Sequence, residues 1–103
     1  MKRGEVRWYK FTHPDKKRPV LILTRNSIIE YLDEVTVAPI TATVRDIPSE
    51  VHLGRSEGMA KDCAVNFDHI QTVSKAKLGG LITTLSPTKL SEARQAILFS
   101  LGL

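Results

Sequence analysis

Cysteine is almost missing from this chain. Cys63 is the only one, so no internal disulfide is possible and the framework is not that of a small disulfide-stapled secreted domain. Its surroundings, "DCAV", read as a strand holding a buried, inert thiol. Histidine is scarce too: His13, His52 and His69 are far apart and lack ligand spacing, so no zinc or magnesium site and no cofactor are expected. The six glycines form no phosphate-cradling loop. There is no nucleophile elbow, and Cys63 has no evident histidine partner. No apolar run is long enough to span a bilayer, and "MKRGEVRWYKF" has no signal-peptide core. No membrane partner and a cytoplasmic location are the expectation. Any catalysis is left to positioned polar side chains.

What is present suits one domain over residues 1–103, long enough to bury a core without disulfides or metal. The apolar fraction of 42% and charged fraction of 25% are those of an ordinary globular chain. Net charge is +4 and the pI about 9.5, a mild bias toward anionic partners such as nucleic acid or an acidic protein segment.

"EVRWYKF" reads as a first strand, "THPDKK" as a polar loop, and "RPVLILT" as a short, well-buried strand. In "SIIE", Ser27 and Glu30 have the spacing of a capping box, which predicts a short helix. "EVTVAPITATV" changes phase: Val35 and Val37 are apolar at odd positions, Ile40, Ala42 and Val44 at even ones. A bulge at Pro39 would account for the change and for the proline, with Thr41 and Thr43 turned away from the face that buries Ile40 and Ala42. "SEVHLG" and "CAVNFDHIQTV" are two more strands, the second placing Asn66 and Asp68 together on a polar face. "LGGLITTL" allows a glycine turn and a short strand. "SPTKLSEARQAILFSLG" is a helix with Ser86 as N-cap, Pro87 in its first turn, Gly102 at its end, and Leu90, Ala93, Ile97 and Leu101 as its apolar stripe. Many short strands, a short helical insertion and a closing helix predict a mainly β fold: a small, partly open antiparallel barrel with a helix packed on it.

Arg18 is the foremost chemical candidate. A residue before proline is held extended, and a guanidinium matches two phosphate oxygens. The other reading, favoured by composition alone, is a gatekeeper charge guarding "VLIL". Thr41 offers a hydroxyl donor, or it is a surface β-former. Asp68 offers a carboxylate beside the Asn66 amide, or it only orders a turn. "RWYK" interleaves aromatic and basic residues as a base-stacking surface does; for Trp8, core burial is the expectation.

Together "RGEV", "RPVLILT", "VAPITATV" and "AVNFDHIQTVSKAKL" resemble, in order and approximate spacing, the MazF/PemK toxin family over nearly the whole chain. The resemblance implies an SH3-like, partly open barrel with a C-terminal helix, related to the CcdB toxin. It implies the toxin half of a toxin–antitoxin pair: a homodimeric, metal-independent endoribonuclease that cuts single-stranded RNA. The products would carry 2′,3′-cyclic phosphate and 5′-hydroxyl ends. By the same resemblance, Arg18 and Thr41 take the family's cleavage positions and Asp68 matches an aspartate that some members use in catalysis. Asn66 stands where some members carry a catalytic arginine, which puts their acid–base scheme in doubt here. His13 aligns only loosely with a loop histidine of some members and is kept out of the catalytic set.

Internal attack needs the RNA 2′-hydroxyl as nucleophile. Negative charge gathers on the scissile phosphate, where Arg18 and Thr41 would stabilise it. Lys16, Lys17 and Arg45 are the expected phosphate contacts, with Asn66 beside them. "THPDKK" and "TVRDIPSE" are the expected base-reading loops. The basic surface fits an acidic, MazE-like antitoxin tail that orders on binding. Two alternatives stay open on the sequence: a CcdB-like, non-enzymatic gyrase poison, and an RNA- or peptide-binding barrel in which Arg18 only grips phosphate.

Overall fold

The structure, a computed structural model, describes residues 1–11 and 16–103. His13 and most of the "THPDKK" loop lie outside the described residues. The order is β1 (Glu5–Phe11), β2 (Lys16–Ile22), α1 (Asn26–Ile29), β3 (Glu34–Thr41), β4 (Glu50–Leu53), β5 (Cys63–Asn66), β6 (Gln71–Ser74), β7 (Leu78–Thr84) and α2 (Pro87–Leu101). One sheet runs β4-β5-β3-β2-β1-β7, with β6 also paired to β3. Every recorded pairing is antiparallel. α2 packs chiefly on β4 and on the turn after β5. This is the expected mainly β, partly open antiparallel barrel with a short inserted helix and a C-terminal helix.

Strand β3 corrects the bulge expected at Pro39. Its pairing with β2 runs in unbroken register through Ile22↔Val37, Leu21↔Ala38 and Val20↔Pro39. The change of phase has another cause. Val35 and Val37 face one apolar cluster, with Tyr9, Val20 and Ile22. Ala38 and Ile40 face a second, with Val6, Leu21 and Phe67. The strand keeps its period of two, but the face that is covered changes along its length. Its outer partner changes at the same place, from β6 (last pair Val37↔Gln71) to β5 (first pair Ile40↔Val65). Pro39, with no N–H to give, stands between the two partners. The strand ends at Thr41, and Ala42 is exposed rather than buried.

Four other expectations need correction. The capping box at Ser27 does not form: Arg25 is the N-cap and makes no side-chain cap bond. Asn26 Oδ1 instead accepts from the Arg3 backbone N–H at 2.7 Å. "CAVNFDHIQTV" is not one strand but two, broken by a 3-10 turn over Phe67–His69. The glycines of "LGGL" lie inside β7 rather than in a turn before it. On α2 the Ser86 cap and the left-handed Gly102 form as expected, but Leu101 is exposed, and Ala96 joins Ala93 in the core instead.

The "RGEV" segment is a structural fastening. Gly4 has φ +94° and sits under Leu90 of α2, whose Cδ1 would lie 3.1 Å from an added Cβ. Its N–H donates to Ile22 and its carbonyl accepts from Leu85, both at 2.9 Å. It thereby ties the ends of β2 and β7 beneath the helix. Buried Glu5 accepts from Arg7 Nε at 2.8 Å.

Candidate functional site

A cavity of about 360 Å³ opens where β2 and β3 part. Val20↔Pro39 is the last recorded pair between these strands. Arg18 lies two residues before Val20 and Thr41 two residues after Pro39, and both line the cavity. An arginine and a threonine 23 positions apart in sequence are thus brought to one cavity. Lys16 and Lys17 complete the basic rim along β2, and Lys61 closes it from the segment before β5. The apolar floor comes from Pro19, Ile40, Met59 and Ile82.

The two candidates differ in how they are held. Arg18 is exposed; among the described residues no carboxylate pairs with it. Its backbone is fixed in the ladder opposite Tyr9 and stiffened by Pro19. Thr41 is half-buried, and its Oγ1 accepts from the Thr43 backbone N–H at 3.1 Å. That bond fixes the oxygen and leaves its O–H to donate elsewhere. Cavity and rim therefore offer an unpaired guanidinium, a free hydroxyl donor and lysine ammonium groups, an arrangement suited to an anion.

Cys63 also lines the cavity and stays an inert thiol. Burial pushes its pKa up, and the nearby Asp62 and Glu57 charges add to the rise. Among the described residues no group of three His, Cys, Asp or Glu side chains is placed to hold a metal ion, and no helix is long and apolar enough to cross a membrane.

The remaining expected site residues lie elsewhere. Asp68, Asn66 and Arg45 do not line this cavity. Asn66 and Asp68 do not share a polar face, because the 3-10 turn separates them: Asn66 is buried and Asp68 exposed. Asn66 Oδ1 caps the turn by accepting from the Asp68 N–H at 2.9 Å. The Asp68 carboxylate accepts from Ser49 Oγ at 2.6 Å, and the Ser49 carbonyl accepts from Phe67 N–H at 3.0 Å. Arg45 is exposed, and its backbone N–H donates to Glu50 Oε1 at 2.9 Å. These bonds shape the loop between β3 and β4 and pin it to the turn after β5.

Trp8, expected in the core, is 43% exposed and lines the cavity with Lys61 and Met59. The interleaving in "RWYK" was the signal for the tryptophan. Met59 and Lys61 carry no local signal, since only the folding of the β4–β5 connection brings them to β2.

Residues 2–101 match the family model described as PemK-like, MazF-like toxin of type II toxin–antitoxin system. The chain belongs to the PemK/MazF toxin family. It is 41% identical over 103 residues to a Mycobacterium tuberculosis protein named probable endoribonuclease MazF2, covering 99% of both chains. Among solved structures it resembles the Mycobacterium tuberculosis toxin MazF-mt6, with a TM-score of 0.88 and 35% identity over 96% of this chain and 97% of that one. It also resembles a mycobacterial endoribonuclease in complex with its cognate antitoxin, with a TM-score of 0.89 and 28% identity over 100% and 96% of the two chains. In this PemK/MazF chain, "RPV" and "VAPIT" both contribute lining to the cavity, while "RGEV" and "NFDH" fasten the fold.

Proposed function

We propose that this chain is the endoribonuclease toxin of a type II toxin–antitoxin pair, and that it cuts single-stranded RNA at the Arg18–Thr41 cavity. The observation that carries the reading is the single cavity that Arg18 and Thr41 line together, in a chain whose relatives bear the name endoribonuclease.

In the reaction the RNA 2′-oxygen attacks the adjacent phosphorus and loses its proton to a base. The P–O5′ bond breaks, and O5′ takes up a proton. The products are a 2′,3′-cyclic phosphate and a 5′-hydroxyl, and DNA is spared because it has no 2′-hydroxyl. Arg18 and the Thr41 O–H stabilise charge gathering on the phosphate oxygens. One such preorganised donor is worth ~3–4 kcal/mol, or roughly 10²–10³ in rate. A guanidinium keeps its proton, so Arg18 acts by electrostatics rather than as a proton donor. Lys16 and Lys17 draw in the RNA backbone. Asp68 acts at one remove as a positioning residue: through Ser49 it holds the loop that follows Thr41.

The toxin works as a homodimer and is silenced by a cognate antitoxin, as the complex of a similar structure with its cognate antitoxin supports for the inhibitor; the basic rim suits an acidic antitoxin segment. The test is digestion of a long single-stranded RNA in EDTA by wild type, Arg18→Ala and Thr41→Ala, with product ends mapped. Discrete cuts with cyclic-phosphate ends from wild type, and a loss of two to three orders of magnitude in each variant, are expected. Wild-type cutting by both folded variants would remove the assignment, and gyrase inhibition without RNA products would replace it with a binding poison.

A further inference from the structure

Trp8 is the one large aromatic side chain at the cavity, and the fold leaves it uncovered. Val6 and Trp8 are two apart on β1 and so share a face. Val6 is fully buried in the core, whereas Trp8 lies past the edge of that core and is 43% exposed. On one side it pairs with Pro19 of β2. On the other, β7 carries an irregularity: Arg7 pairs with Leu81 and Tyr9 with Leu78, so Gly79 and Gly80 together stand opposite Trp8. Neither glycine has a side chain to lay over the indole. A Cβ added at Gly79 would lie 3.4 Å from Trp8 Cβ, and one at Gly80 would meet nothing within 4 Å. The bulge and its glycine pair thus keep open an aromatic face that burial would otherwise cover.

The surroundings specify what comes to rest on it. Pro19, opposite Trp8, follows Arg18 directly on β2, and Lys17, two residues from Pro19, shares the face of Pro19 and Trp8. Lys16 and Lys17 continue the cationic line along the same strand, and they border one cavity with Trp8 and Arg18. A flat aromatic face beside a row of cations fits single-stranded nucleic acid, whose bases stack while its phosphates pair.

We propose that Trp8 is a base-stacking platform of the RNA site, holding a nucleobase next to the phosphate that faces Arg18. This rests on the endoribonuclease reading and adds to it the group that seats the substrate's base.

Trp8 is the only tryptophan in the chain, so the emission of the unaltered protein reports on this side chain alone. The probes are a mixed-sequence 2′-O-methyl oligoribonucleotide, which cannot be cleaved, an abasic oligomer of equal length, and a polyglutamate peptide. The base-bearing oligomer quenches Trp8 emission and the abasic one does not. Trp8→Ala weakens oligomer binding ~10-fold or more, while Trp8→Phe retains most of it. Equal quenching by the abasic oligomer, absence of oligomer binding, or wild-type binding by Trp8→Ala would overturn the proposal. Quenching by polyglutamate alone would do so too, and would assign the face to a protein partner. Quenching without cleavage sinks the nuclease reading and leaves the platform standing; cleavage without quenching sinks the platform alone.

Discussion

Two polar segments, Lys16–Arg18 and Asn66–Asp68, both resemble active-site material, and the fold treats them oppositely. Around Asn66 the polar groups are engaged internally: with a backbone N–H, with Ser49, and with each other's turn. Along Lys16–Arg18 the cations are exposed at the rim of a cavity. Buried polar groups must find partners or destabilise the fold, so the Asn66 segment builds structure. The Arg18 segment lies at a strand end in water, where an unpaired charge costs little and remains available to a ligand. Polar side chains hold the fold together in one place and stand open at a cavity rim in the other.

The sharpest way to break this contrast is Arg18→Ala, with Thr41→Ala beside it. Each should lower RNA cleavage roughly 10²–10³-fold with an unchanged urea midpoint. A fall in the midpoint instead would mean that these residues also hold the fold. Asn66→Ala should do the reverse: about 1–3 kcal/mol of stability lost in urea titration, because the turn loses its buried cap. Cutting per folded molecule should stay within a few-fold of wild type, and a selective loss of cutting would return Asn66 to the RNA site.

Glu5 sharpens the same distinction by pH. Burial raises its carboxyl, but the Arg7 bond and the Lys2 backbone bond outweigh burial, and its pKa falls below the ordinary value of 4.5. The unfolded chain therefore holds the proton more readily. The Glu5 contribution is present above about pH 4.5 and is lost as pH falls through the lower folded value. Urea titrations across pH 3 to 7 should show Glu5→Gln less stable than wild type at neutrality, with the gap closing in acid. A gap that persists at pH 3 would rule out this linkage. The smallest effect is expected from Lys17→Ala: RNA affinity a few-fold weaker, with the salt slope reduced by about 0.7 for one lost single-strand phosphate contact. No change in slope would make Lys17 a mere solubilising charge.

Much of the architecture was legible in the chain. Strand segments showed by apolar runs and alternation, and α2 by Ser86, Pro87 and Gly102, since these signals act within a few residues. The errors share one cause. The break in β3 looked like a bulge because sequence shows which residues are apolar but not which face a neighbour covers. "CAVNFDHIQTV" passed for one strand because the Asn66 cap that turns it is set by a short side chain reaching two residues on. Trp8 passed for core because the glycine pair that leaves it open lies more than seventy residues away.

The sequence by itself therefore determined the kind of fold, most strand segments and the closing helix, because those follow from side-chain type and near neighbours; Arg18 and Thr41 were singled out through the family resemblance. The tertiary structure alone decided that Arg18 and Thr41 border one cavity, that Asp68 stands apart from it, and that Trp8 is partly exposed. Each of these depends on strand register and on what packs over a surface, and both are set by contacts between residues distant in the chain.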